Sequence, residues 1–134
     1  MSSWEKSNLE LTPAPEMTML DVSGTLSVLI KHDYYSSDND HGRMLLGSFI
    51  DGLIESGDPI SKVILIDSAV RLLEDDSFSA KLVKIFALSK YAYICDDSLA
   101  YFDIEYTSHD NIIVCSASDI SMEMVQTGRL ITLE

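Results

Sequence analysis

The sequence predicts an α/β fold: a three-layer α/β/α sandwich with a mostly parallel five-stranded sheet. Three observations carry that prediction. The strand-like runs are continuously apolar rather than alternating, as in strands buried on both faces. Amphipathic stretches separate them, the order expected of a parallel sheet with crossover helices. Finally, 46% hydrophobic residues coexist with a formal net charge of -13, so the acids gather in turns and on outer faces around an apolar interior.

The elements follow in order. Residues 1–24 are polar, contain Pro13 and Pro15, and show neither helical nor strand period, so they are predicted to form a partly flexible arm ahead of a domain over 25–134. Leu26 to Ile30 is a short apolar run that stops at the polar cluster Asp33 to Asp40, a strand followed by a loop. Gly42 to Ser56 places Leu45, Leu46, Phe49, Ile50, Leu53 and Ile54 three and four apart. That spacing predicts a helix, capped by Asp38 or Asp40 and ended by Gly57-Asp58-Pro59. Lys62 to Ile66 is a second strand ending at Asp67-Ser68. Ala69 to Leu73 can make a helical turn, and Ser77 to Leu88 is a helix with Asp75 to Ser77 as cap candidates. Tyr91 to Cys95 is a third strand by its aromatic and β-branched content, and Asp96-Asp97-Ser98 can cap a short helix through Phe102. Asn111 to Cys115, Asp119 to Gln126 and Arg129 to Leu133 complete the set as strand, helix and strand.

Composition narrows the function classes. A chain of 134 residues fits one domain. Nine Lys plus Arg against 22 Asp plus Glu make nucleic acid and anionic membranes poor partners. Two cysteines are too few for a disulfide framework and lack metal-ligand spacing, so a reducing, cytoplasmic setting is expected. Residues 1–20 hold no apolar core of signal-peptide length, and no stretch reaches the roughly 18 apolar residues of a membrane span.

In such sheets ligands gather outside the carboxyl ends of the strands. Those positions hold Asp33 and Tyr34, Asp67 and Ser68, Cys95 with Asp96, Asp97 and Ser98, and Cys115 with Ser116 and Ser118. The functional reading is a polar pocket with Asp33, Asp67, Ser68, Asp96, Asp97, Ser98 and Ser116 as ligand-binding candidates; the competing reading is that they are loop residues and helix caps. Cys95 ends a strand just before a helix, where a nucleophile belongs, though Asp96 and Asp97 oppose a thiolate and a packed structural thiol is the rival reading. Cys115, after Ile-Ile-Val, is expected to be a packing residue. Aligning Gly42 with the glycine of a calcium loop puts His41 and Ser48 where acidic ligands belong, so no metal site is expected in the acidic loop. His32, His41 and His109 are scattered, with surface or capping roles expected, and pairing His109 with Cys95 as its base is only a guess. No Walker loop, GxGxxG or GxSxG is present, and no cofactor is expected.

Three segments, Asp40-His41-Gly42-Arg43-Met44-Leu45-Leu46-Gly47-Ser48-Phe49, Val63-Ile64-Leu65-Ile66-Asp67-Ser68-Ala69-Val70-Arg71-Leu72 and Ile94-Cys95-Asp96-Asp97-Ser98-Leu99-Ala100-Tyr101-Phe102, occur in an order and spacing that resemble a known family. Over Leu26 to Glu134 the chain resembles the DsrE-like family, most closely the C-terminal domain of YedF-type proteins of selenium and sulfur metabolism. The resemblance implies a five-stranded parallel α/β sandwich that assembles into trimers or hexamers. It also implies a cysteine in the third-strand loop that carries a persulfide in sulfur-relay members. Cys95 occupies that place. Ser98 stands where the YedF-like pattern has a second cysteine, which removes that dithiol and leaves single-cysteine carriage. Residues 1–25 are too short for the sulfur-carrier domain of longer YedF-like proteins, so a partner is expected to supply sulfur. The expectation is a sulfurtransferase-type relay protein acting through a Cys95 persulfide with a donor or acceptor protein. The alternative is a non-catalytic oligomeric, ligand-binding or partner-binding module in which Cys95 is structural.

Overall fold

The computed structural model describes residues 26–134; the proposed arm at 1–24 lies outside the described residues. Five strands, β1 (Leu26–Ile30), β2 (Ile60–Leu65), β3 (Ser89–Cys95), β4 (Ile112–Cys115) and β5 (Arg129–Leu133), form one sheet in the order β4-β3-β2-β1-β5. Every pairing is parallel. The chain steps outward from β1 to β4, then returns to place β5 on the other side of β1.

Two unequal cores give the three layers. On one face Val28, Ile30, Val63, Leu65, Ala92 and Ile94 meet α1 (Asp40–Ser56), α2 (Ser79–Leu88) and the 3-10 segment Asp67–Glu74. Leu46, Ile50, Leu82 and Ile85, at helical spacing, fill that interface. On the other face Leu29, Ile64, Tyr93 and Cys95 meet α4 (Ala117–Val125) through Ile120. Strand residues alternate between these cores because successive side chains point to opposite faces.

Local chemistry explains the boundaries that differ from expectation. Helix α1 begins at Asp40 because Asn39, not Asp38 or Asp40, caps it: the Gly42 amide donates to Asn39 Oδ1 at 2.8 Å. Gly57, at φ 70, ends the helix in the left-handed region that glycine adopts without strain. The turn expected at Ala69 to Leu73 extends into eight residues of 3-10 helix. The helix expected from Ser77 divides into a 3-10 turn at Asp76–Phe78 and then α2, with Asp75 accepting from the Ser77 amide at 2.9 Å. At the short helix α3 (Asp96–Tyr101) the cap position is Cys95, which makes no side-chain cap bond, so Asp96, Asp97 and Ser98 are not its caps. Ser116 caps α4 through the Asp119 amide at 3.1 Å. Among the described residues no helix is long and apolar enough to cross a membrane.

Candidate functional site

The carboxyl edge of the sheet is a row of loops tied sideways to one another. The Asp33 amide, after β1, donates to Ser68 Oγ at 3.2 Å. Next along, the Asp67 amide donates to Ser98 Oγ at 2.8 Å, although Asp67 itself sits at φ 50. Across the following gap the Ala117 amide donates to Asp97 Oδ2 at 3.0 Å. Each bond satisfies a backbone donor that the end of a strand or the start of a helix would otherwise leave bare.

Asp33, Asp67 and Ser116 have similar duties. The Asp33 carboxylate is mostly buried and lies 3.4 Å from Nε of Arg71. Asp67 lies 3.8 Å from Nδ1 of His32, whose ring stacks on Tyr34 at 4.7 Å. Asp96 is exposed at the start of α3. Of the seven polar residues the sequence nominates, six therefore appear as loop ties, ion partners or a helix cap. At the switch between β1 and β5, Lys31 Nζ donates to Glu134 Oε1 at 2.7 Å.

Cys95 is 3% exposed, packed with Leu29, Ile64, Tyr93 and Ile120 under α4. Its register partner on the neighbouring strand is Cys115. Both thiols belong to the α4 side of the sheet, because Cys115 packs against the same cluster. Cys115 is the more open of the two. Burial pushes the Cys115 thiol pKa up, and the nearby acidic groups, Asp119 first, raise it further. Cys115 packs against that cluster, as expected of a packing residue, and the sheet order also makes it the neighbour of Cys95. Consecutive strands usually pair, and each cysteine ends its strand, so these two signals together could have found the pair.

His109 cannot serve Cys95. Its backbone bridges Ile112, at the start of β4, and its Nδ1 lies 2.9 Å from the Thr107 carbonyl oxygen. Cys115 lies three residues further along that strand, about 10 Å away at the usual rise of β-structure. His109 instead joins Tyr106 at a half-open cleft of about 370 Å³ floored by Leu82, Phe86 and Ile112. Burial raises the pKa of Tyr106 there.

Sequence reasoning also missed a buried polar cluster beneath the end of α4. Lys62, on β2, donates from Nζ to the Glu123 carbonyl oxygen at 2.7 Å and lies 3.0 Å from the Glu123 carboxylate. The ammonium meets the negative end of the α4 dipole as well as a carboxylate. The Tyr93 phenol lies in the field of the same carboxylate. Burial first, and then Glu123, push the Tyr93 phenol up to about 12. Lys62 and the Tyr93 hydroxyl hold Glu123 below the usual carboxylate range. Ser27, fully buried on β1, adds a hydroxyl contact of 2.6 Å to Thr127 just beyond the helix. The signal was Lys62 itself, the one charged residue in a mostly apolar strand. Among the described residues no group of three or more His, Cys, Asp or Glu is placed to hold a metal ion. Compared with known proteins, the chain matches no family model, and no curated protein matches it.

Proposed function

We propose that this is a DsrE-like sulfur-handling protein in which Cys95 accepts sulfane sulfur as a persulfide and passes it on. The observation that supports the reading is the position of Cys95 as the last residue of β3, at the carboxyl edge of an all-parallel sheet, immediately before α3. Sulfur held there sits beneath α4, away from bulk thiols that would strip it. Loading then requires α4 to lift, since Cys95 is 3% exposed. A reducing, cytoplasmic setting keeps the thiol free between cycles, and a donor or acceptor protein works in trans. Assembly into trimers or hexamers belongs to the same proposal. Self-repulsion at a charge of -13 makes association strengthen with salt. Sedimentation that returns only monomer at low and at high salt would remove the assembly.

The competing reading is a non-catalytic binding module with Cys95 as a packing residue. It is favoured by that same burial and by the use of Ser68, Ser98 and Asp97 as loop ties. Incubation of the native full chain with inorganic polysulfide, followed by peptide mass spectrometry, separates the two. One added sulfur atom on Cys95 under native conditions supports carriage. A Cys95 that gains sulfur only after unfolding makes it a packing residue and gives the binding module the lead.

A further inference from the structure

Cys95 and Cys115 are paired in register on adjacent parallel strands. Neighbouring strands lie about 4.8 Å apart, and a disulfide spans Cα separations of roughly 4.4 to 6.8 Å. Both side chains belong to one face, since both pack in the cluster beneath α4. Side chains projecting in parallel start slightly too far apart for a disulfide, so closing the bond requires the two strand ends to draw together. This is where the sheet yields most readily. Each cysteine is the last residue of its strand, and β4 is a four-residue edge strand. Exposure is graded as well: Cys115 is partly open, whereas Cys95 is buried.

We propose that Cys95 and Cys115 work as a dithiol, Cys115 resolving sulfur from Cys95 by closing a reversible disulfide between β3 and β4. In the resolving step the Cys115 thiolate attacks the inner sulfur of the Cys95 persulfide. The new bond joins the two Sγ atoms, the sulfur-sulfur bond of the persulfide breaks, and the outer sulfur leaves as hydrosulfide with the electron pair. The Cys115 proton goes to solvent, and hydrosulfide takes one up. The sulfane sulfur is reduced to sulfide while the two thiols are oxidised to the disulfide. That step rests on the sulfur carriage proposed above; closure itself does not. A low-molecular-weight disulfide drives closure alone: exchange at Cys115 gives a mixed disulfide and one thiol, and Cys95 then displaces the second thiol. Two equivalents of thiol reductant reopen the pair. The missing cysteine at Ser98 is thereby replaced from the neighbouring strand rather than from the same loop. The raised thiol pKa of Cys115 keeps this step slow at neutral pH, which suits a store that releases sulfur slowly.

The test uses the reduced full chain with excess oxidised glutathione, quenched in acid and read by intact mass and peptide mapping. The expected product is a chain two hydrogens lighter, with the Cys95 and Cys115 peptides joined, and dithiothreitol restores both thiols. Cys95→Ser should stop at a stable glutathione adduct on Cys115. A wild-type chain that keeps that adduct beside a free Cys95, or that stays fully reduced, overturns the proposal. The wild-type arm needs no variant to fold. A second arm adds inorganic polysulfide and measures free sulfide. Wild type should release sulfide and end as the disulfide, whereas Cys115→Ser should retain sulfur on Cys95. Sulfur that persists on Cys95 in the wild type without sulfide release defeats the dithiol and leaves carriage standing. Closure by glutathione disulfide with no sulfur on Cys95 in either chain defeats carriage and leaves the dithiol standing.

Discussion

If α4 is the cover over Cys95, Ile120→Ala should uncover it. Ile120 is the only buried residue of that helix, 3% exposed, and it packs in the cluster that contains Cys95. The truncation removes three buried carbons, worth about 2.4 kcal/mol at 0.8 kcal/mol each. Incomplete collapse of the space left behind brings the cost to about 3 kcal/mol, inside the range for Ile→Ala. Besides Met124, which packs partly buried against the same cluster, the ties of the helix are polar: Lys62 to Glu123, Asp97 to the Ala117 amide, and Ser27 to Thr127 just after it. A helix of nine residues held, once Ile120 is truncated, by one partly buried methionine and three polar ties can open without the rest of the domain.

Because each 1.4 kcal/mol is tenfold in a population, the open form should rise on the order of 100-fold. The assay is the rate of Cys95 alkylation in native buffer, read by peptide mass spectrometry, where opening is fast relative to modification. Leu82→Ala is the control. Leu82 is 4% exposed in the opposite core under α2, and its truncation costs a comparable global stability. Ile120→Ala should speed alkylation on the order of 100-fold and Leu82→Ala hardly at all. Equal acceleration by both would mean that Cys95 is reached only through global unfolding, and the idea that α4 acts as its cover would fall.

Three further outcomes follow from the buried cluster and the α1 entrance. The Tyr93 phenol is raised to about 12 in the folded chain. An unfolded tyrosine titrates near 10, so its stabilising contribution is complete below about pH 10 and is lost as pH rises through 12, a change of about 3 kcal/mol. Urea unfolding at alkaline pH should show that loss in wild type and much less of it in Tyr93→Phe. Glu123 is held low by Lys62, so its contribution is present above the ordinary carboxylate pKa and lost as pH falls through the folded value. Glu123→Gln should cost about 1 kcal/mol at neutral pH, with the gap to wild type closing on acidification in the same unfolding assay. A Cβ at Gly42 would strike the carbonyl oxygen of Ser37, so Gly42→Ala should cost about 3 kcal/mol by thermal denaturation. An unchanged melting temperature would show that the loop before α1 can move aside.

The fold was readable because each strand is a short apolar run bounded by polar residues, and because helices of matching length lie between them. The caps were less readable. Asn39 competes with Asp38 and Asp40 in one acidic loop, and only the backbone path decides which side-chain oxygen meets the Gly42 amide. The 3-10 character of Asp67–Glu74 has no period that separates it from a short α-helix. Strand order lay beyond reach as well. Nothing in Arg129 to Leu133 says that it pairs beside β1 rather than beyond β4. That one fact decides which residues line the switch point, and it puts Lys31 against Glu134 there.

The candidate site was readable by address, and of its two readings the loop-and-cap one describes the bonds that most of its polar residues make. The carboxyl edge of a parallel sheet is where ligands gather, but it is also where strands stop and backbone donors lose their ladder partners. In this chain Ser68, Ser98 and Asp97 answer that second need, joining β1, β2, β3 and α4 through successive loop ties. These ties fasten the loops of the rim, while the opposite face of the sheet is covered by a single nine-residue helix, α4. The two thiols sit at the ends of β3 and β4, packed beneath α4. Chemistry that needs both protection and access is best placed there, at the cysteines just inside the rim rather than at the polar residues on it.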